Sequence, residues 1–160
     1  MPSAPATTRR SFWQRRLIDP VRALFLQGIT PDRVALTFAV GTACSLLPFL
    51  GFTSLLNLGV GLWLRLNQPI LQTLNQLLGP VQLVLIIAYV RIGETIWRAA
   101  PMPLSVPIIV RTFRADPWAF LQRFGWTGVH AATAWALSVP FLIAMIYYPL
   151  RPVLRKFAAR

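Results

Sequence analysis

Acidic side chains are almost missing from this chain: Asp19, Asp32, Glu94 and Asp116 stand against sixteen basic residues, of which only Lys156 is not arginine. There is one histidine, His130, and one cysteine, Cys44. A paired-carboxylate acid/base centre or a His/Cys/Asp/Glu metal cluster would have to be built from almost nothing. A single cysteine excludes an internal disulfide and any multi-cysteine metal site, and leaves the redox compartment open. HExxH, CxxC, GxSxG and Gly-rich phosphate loops are all absent. The expectation is a protein that is not an enzyme and carries neither cofactor nor metal.

Charge is also missing over long distances. Residues 34–64, 66–90 and 124–150 contain no Asp, Glu, Lys or Arg. Only 12% of the chain is charged, about half of what a soluble domain carries, while 56% is apolar and the mean hydropathy is +0.58. These runs are transmembrane candidates. Nucleic acid is excluded as a partner, because the arginines fall between apolar runs instead of forming one reading face on a soluble core. Planar guanidinium forks at membrane boundaries suit anionic lipid headgroups, so the expected partner is the bilayer, with room for a homo-oligomer or a membrane partner.

The organising stretch is residues 41–67, GTACSLLPFLGFTSLLNLGVGLWLRLN. The 31 uncharged residues from Val34 to Leu64 would extend about 46 Å as one helix, too long for a hydrocarbon core of about 30 Å and too short for two full spans. A tilted or shallow hairpin turning at Pro48 and Gly51 fits this length. Carbonyls freed at the corner need partners, and Thr53 and Asn57 are the nearest candidates in sequence.

The chain then divides as follows. Residues 1–10 read as a flexible tail and residues 11–29 as an interfacial helix with Trp13, Leu17, Val21 and Leu24 at helical spacing. No apolar run precedes residue 34, so the first hydrophobic segment is expected to stay in the product. Residues 30–98 form the membrane core, with two helix breaks. Thr30-Pro31-Asp32 is a helix start, with a capping hydroxyl, a proline at the first position and an acid in the first turn. Asn67 caps the next helix, and Gly79-Pro80 breaks it, either as a kink or as the tip of a second re-entrant hairpin. Residues 99–124 form an interfacial connection with two short helices, Pro107 to Arg114 and Pro117 to Phe124. Residues 125–150 form a transmembrane helix whose Gly128, Ala132 and Ala136 make a small-residue packing face, and residues 151–160 form a basic tail. The fold class is all-α, a polytopic membrane protein with broken or re-entrant helical hairpins plus interfacial helices.

Two topologies remain open. If residues 66–90 cross fully, both ends share one side and the basic residues divide eleven to five; if they re-enter, the division is twelve to four. The positive-inside rule does not separate these.

Thr30-Pro31, Ala39-Val40-Gly41, Pro48-x-x-Gly51-x-Thr53, Leu64-Arg65-Leu66-Asn67-Gln68, Asn75, Pro80-Val81-Gln82-Leu83 and Arg91-Ile92-Gly93-Glu94 follow one another in order. In that order and spacing the chain resembles the bacterial Domain of Unknown Function 2062 family of small membrane proteins, from about Pro31 to Glu94. Gly79 stands where such proteins commonly have asparagine before the second proline. The resemblance implies a multi-pass protein of the bacterial inner (cytoplasmic) membrane and no particular activity.

The candidate polar site is Asn57, Arg65, Asn67, Asn75 and Gln82, lying between the breaks at Pro48, Gly51, Gly79 and Pro80. Broken helices in transporters hold ions and anionic groups in this way. The expected function is the binding or passage of a small solute or lipid headgroup, and the alternative is a non-catalytic interaction or scaffold module at anionic membrane. The plain reading of Arg65 is a cation at a helix C-terminus, and that of Asn67 a cap. Arg91 and Glu94 read as a boundary ion pair or as a gate. His130 reads as an interfacial hydrogen-bonding group or as a proton relay, and Cys44 as a small packing residue.

Overall fold

The computed structural model describes residues 30–158. The tail expected at 1–10, the interfacial helix at 11–29 and the last two residues of the basic tail lie outside them. Six helices make up the described residues: α1 Pro31–Ser45, α2 Phe52–Trp63, α3 Gln68–Leu77, α4 Gly79–Trp97, α5 Val106–Ala115 and α6 Pro117–Ala158.

The start of α1 is the one its sequence calls for. Thr30 accepts a hydrogen bond from the Arg33 amide and Pro31 fills the first turn, where its missing N–H is harmless. Alanine, glycine and serine then let α1 sit at the centre of the bundle. Val34, Ala35, Thr37, Ala39, Val40, Gly41, Ala43, Cys44 and Ser45 are all buried, and α2, α3 and α6 each pack on this helix. The greasier helices lie outside it. Leu55, Leu62, Trp63, Val84, Phe141, Met145 and Tyr148 are all exposed, large apolar side chains of the kind that, where contiguous, mark a lipid or protein contact.

Gly51, at φ 87°, makes the turn between α1 and α2, because the left-handed region strains residues that carry a Cβ. The hairpin closes at its other end, where Arg33 Nη1 donates to the carbonyls of Leu64 and Arg65 at 3.3 and 3.2 Å. The expected hairpin corner at Pro48 and Gly51 is thus a real reversal. Gly79-Pro80 differs. The Leu78 amide bonds Leu74 and the Gln82 amide bonds Leu78 across the junction, and α3 and α4 scarcely touch. It is a kink in a running helix and not a second hairpin tip, because only proline's own hydrogen bond is lost.

Two expectations at the C-terminal end are corrected. One 42-residue helix, α6, replaces the short helix at 117–124, the span at 125–150 and the tail from 151, and it contains Pro140, Pro149 and Pro152. Each proline removes a single hydrogen bond, which a long packed helix tolerates. The small-residue face is also displaced: Ala131 and Ala134 are buried, whereas Ala136 is exposed. The packed line runs through Gly128, Ala131, Trp135, Ser138 and Ile143, because α6 meets α4 and α1 side by side and turns a wider stripe inward. At the crossing a Cβ on Gly93 would collide with the His130 carbonyl, so glycine sets how closely α4 and α6 approach.

Among the described residues α4 and α6 are the two helices long and apolar enough to cross a membrane. The charges sort to the two ends of the bundle. Asp32 accepts from Arg151 and Arg155 at one end, and Arg91 pairs with Glu94 at the other, beside the Gly93–His130 crossing. From His130 to Arg151 along α6 is 21 residues, or about 31 Å at 1.5 Å per residue. That span matches a hydrocarbon core of about 30 Å.

Candidate functional site

Between the two charged layers lies a knot of uncharged polar side chains where α1, α2 and α3 meet. Asn57 is 1% exposed. Its Nδ2 faces three acceptors: Ser45 Oγ at 3.0 Å, the Thr53 carbonyl at 3.1 Å and Asn75 Oδ1 at 3.4 Å. Ser45 Oγ, itself buried, donates to the Gly41 carbonyl at 2.6 Å, and Asn75 Nδ2 donates to Ser54 Oγ at 2.8 Å. Gln72 Nε2 reaches the Ser54 carbonyl at 3.4 Å. Asn57 Oδ1 is buried with no donor facing it. The helices supply this knot by their repeat: Ser54 and Asn57 on α2, and Gln72 and Asn75 on α3, are each three apart and share a face.

The five expected site residues separate. Asn57 and Asn75 meet directly. Gln82 is buried beside them at the corner, where its Nε2 donates to the Leu47 carbonyl at 2.8 Å. Arg65 and Asn67 lie at the opposite end of the α2–α3 pair. Arg65 is exposed with φ 53°, and Asn67 Oδ1 caps α3 by accepting from the Ile70 amide at 3.1 Å. Arg65 is eight residues past Asn57 on the α2 side and Asn67 eight before Asn75 on the α3 side, about 12 Å along the helices, and neither bonds the other three. At that end Arg33 holds the backbone, and Arg151 and Arg155 grip the Asp32 carboxylate with four bonds of 2.7 to 3.3 Å. The Arg155 and then the Arg151 hydrogen bonds hold the Asp32 carboxyl well below the usual carboxylate range, against a smaller opposing effect of burial.

The carbonyls freed at the Pro48–Gly51 corner find partners remote in sequence, not the expected Thr53 and Asn57. Gln82 serves Leu47, and Trp135 Nε1 donates to the Ala43 carbonyl at 2.8 Å. Phe49 leans on Gly128 of α6, which further fixes the corner.

Arg91 and Glu94 form the expected boundary pair at 2.8 Å, and it does more than join two surface charges. Glu94 is buried and its second oxygen accepts from the Met102 amide at 2.7 Å, anchoring the connection that leaves α4. His130 stacks on Trp97 with ring centroids 5.3 Å apart. Cys44 is buried among Val40, Leu66 and Leu71, as a packing residue would be.

Chemically the knot is short of donors. Asn57 Nδ2, Ser45 Oγ, Asn75 Nδ2 and Gln72 Nε2 all donate within it, and the Asn57 amide oxygen is left without a donor. Among the described residues no three His, Cys, Asp or Glu side chains come together. Ser45, Ser54, Gln72 and Trp135 belong to the arrangement and were missed by sequence reasoning. The three-residue spacing of polar groups inside apolar helices was a readable sign of Ser54 and Gln72, whereas Trp135 lies 92 residues from its partner and had none.

No curated protein and no solved structure matches the chain. A family model does match, over residues 14–156 and so well beyond the motifs between Pro31 and Glu94. On that match the chain belongs to the family of uncharacterized proteins conserved in bacteria designated DUF2062.

Proposed function

We propose that this is a non-catalytic, multi-pass protein of the bacterial inner membrane that binds a small polar solute at the α1–α2–α3 corner, within the apolar layer. The observation that carries the reading is the knot around Asn57, which leaves a buried oxygen unmatched between two charged layers about 31 Å apart. A buried acceptor left without a donor costs about 1–3 kcal/mol, which a donating solute offsets. With Arg65 at the other end, an anionic headgroup finds no cation at the knot, so the reading narrows to a neutral or cationic solute. The bilayer is the main partner. Leu55, Trp63, Val84 and Phe141 face acyl chains, and Arg33, Arg65, Arg91 and Arg98 meet anionic headgroups.

The test is access. In a Cys44→Ala background, Ser54→Cys in proteoliposomes is expected to react with a charged, water-soluble methanethiosulfonate far faster than lipid-facing Leu55→Cys. Equal, slow labelling at both positions defeats the reading.

A second reading, a scaffold at anionic membrane, is favoured by α5. Arg111, Phe113 and Arg114 are exposed, and Phe113 packs edge-on against Phe120 of α6 at 5.5 Å. That reading requires Arg111→Glu with Arg114→Glu to lose a stabilisation that phosphatidylglycerol bilayers give and phosphatidylcholine bilayers do not.

A further inference from the structure

We infer that the solute at the Asn57 knot is a small monovalent cation, held by neutral oxygens with Asn57 Oδ1 as the principal ligand. The inference rests on the polar-site reading above and narrows it to a chemical class. The first ground is a count of donors and acceptors. Asn57 Nδ2 has two hydrogens and three oxygens before it, Ser45 Oγ has spent its proton on Gly41, and Asn75 Nδ2 is directed to Ser54. Asn57 Oδ1, on a residue 1% exposed, therefore faces a place that no donor among the described residues fills. A ligand that brings positive charge or donors serves Asn57 Oδ1; one that brings only acceptors leaves it unpartnered.

The second ground is charge. Asp32 is gripped by Arg151 and Arg155 at one end of the bundle, Glu94 is engaged by Arg91 and Met102 at the other and Asp116 accepts from the Ala119 amide, so no carboxylate among the described residues reaches the knot. Divalent cations take carboxylates to offset their dehydration. A single charge is the most that amide, hydroxyl and carbonyl oxygens match without one. Among the described residues no arginine or lysine bonds a residue of the knot, so no fixed positive charge there competes with the ion. The C-terminal end of α1 and the N-terminal end of α2 both open at this corner, and their dipoles largely offset. The selectivity for positive charge therefore comes from the side-chain oxygens.

The alkali ion and the protonated amine share this chemistry, and the experiment separates them. The full chain in lipid nanodiscs is melted at constant ionic strength in choline chloride, then with choline replaced by sodium, potassium, ammonium or methylammonium. The expected result is a saturable rise in melting midpoint of about 3–6 °C at ten times the dissociation constant for at least one of the four small cations. A response confined to sodium or potassium assigns an alkali ion, and one confined to ammonium or methylammonium assigns an amine. Asn57→Leu is expected to abolish the rise. Asn57→Asp, which keeps the shape, is expected to retain it and make it pH-dependent, so a failure of the leucine variant to fold leaves the test standing. Identical midpoints in all five salts overturn the inference and mean that a bound water alone completes the knot; so does a rise that survives Asn57→Leu. Ser54→Cys labelling on the same preparation separates the two claims: a labelled corner without a cation response overturns the cation alone, and a sealed corner without a response overturns both.

Discussion

Replacing Gly93 by alanine tests how the two long helices are joined. A Cβ at this position falls inside van der Waals contact with the His130 carbonyl and 2.8 Å from the Ala131 nitrogen. Favourable carbon contacts need about 3.5–4.0 Å, and the opposing atoms are backbone, so they cannot rotate away. The helices must part by about 1 Å, stretching the Tyr89–Ser138 hydrogen bond of 2.9 Å and the Trp97–His130 stack. Forcing a methyl into a packed interface costs about 1–3 kcal/mol, while alanine regains about 0.5–1 kcal/mol of helix stability over glycine. The net loss is about 1–2 kcal/mol, or roughly 2–8 °C in melting midpoint for a chain of this size. Thermal unfolding in detergent micelles or nanodiscs, followed by circular dichroism, reads this directly. Gly59→Ala and Gly125→Ala are the controls, since both glycines are in helices and nothing lies within 4 Å of a Cβ there. They should leave the midpoint unchanged or raise it. A Gly93→Ala protein as stable as these controls would refute the close crossing and, with it, the alignment of the two charged layers.

Gln82→Leu leaves the Leu47 carbonyl without its 2.8 Å donor and is expected to cost about 1–3 kcal/mol, measured as a lower melting midpoint, while Gln76→Leu on the exposed side of α3 costs nothing measurable. The Asp32 carboxyl is held below its unfolded-state value near ~4 by Arg155 and Arg151. The stability it contributes is therefore complete above that unfolded value and is lost as pH falls through the lower folded one. Melting curves from pH 7 down to about 3 should show a steeper acid loss in the natural chain than in Asp32→Asn, and equal slopes would sink the assignment. Because Asp32 touches Arg151 and Arg155, single cysteines at Thr30 and Ala158 in a Cys44→Ala background should label from one side of a sealed vesicle, and one at Ser105 from the other. Opposite sides for residues 30 and 158 would restore the re-entrant topology.

Much was legible in the residues because local rules govern it. Thr30-Pro31, Asn67 and Gly51 each act within a few positions of themselves, and the structure shows the caps and the positive φ they call for. The hairpin followed from a length, a charge-free run too long for one span and too short for two. Asn57, Asn75 and Gln82 stood out because polar side chains in apolar helices need partners. What misled was also local. Phe124 and Leu150 were expected to end elements, yet α6 starts at Pro117 and runs through both, since one missing hydrogen bond at each internal proline is small beside the packing of a 42-residue helix against α1 and α4.

Tertiary structure decided the pairings. Nothing in the sequence says that Asn57 and Asn75 meet while Arg65 and Asn67 stay apart from them, or that Asp32 reaches across 119 and 123 positions to Arg151 and Arg155. Nor does it say that Trp135 serves the Ala43 carbonyl. Such contacts depend on how far each helix slides and turns against its neighbours, and that is set by small residues at crossings such as Gly93, whose effect exists only once two helices meet. Composition was enough to mark the chain as strongly apolar and poor in acid; only the packed helices, among the described residues, left the Asn57 amide oxygen buried without a donor.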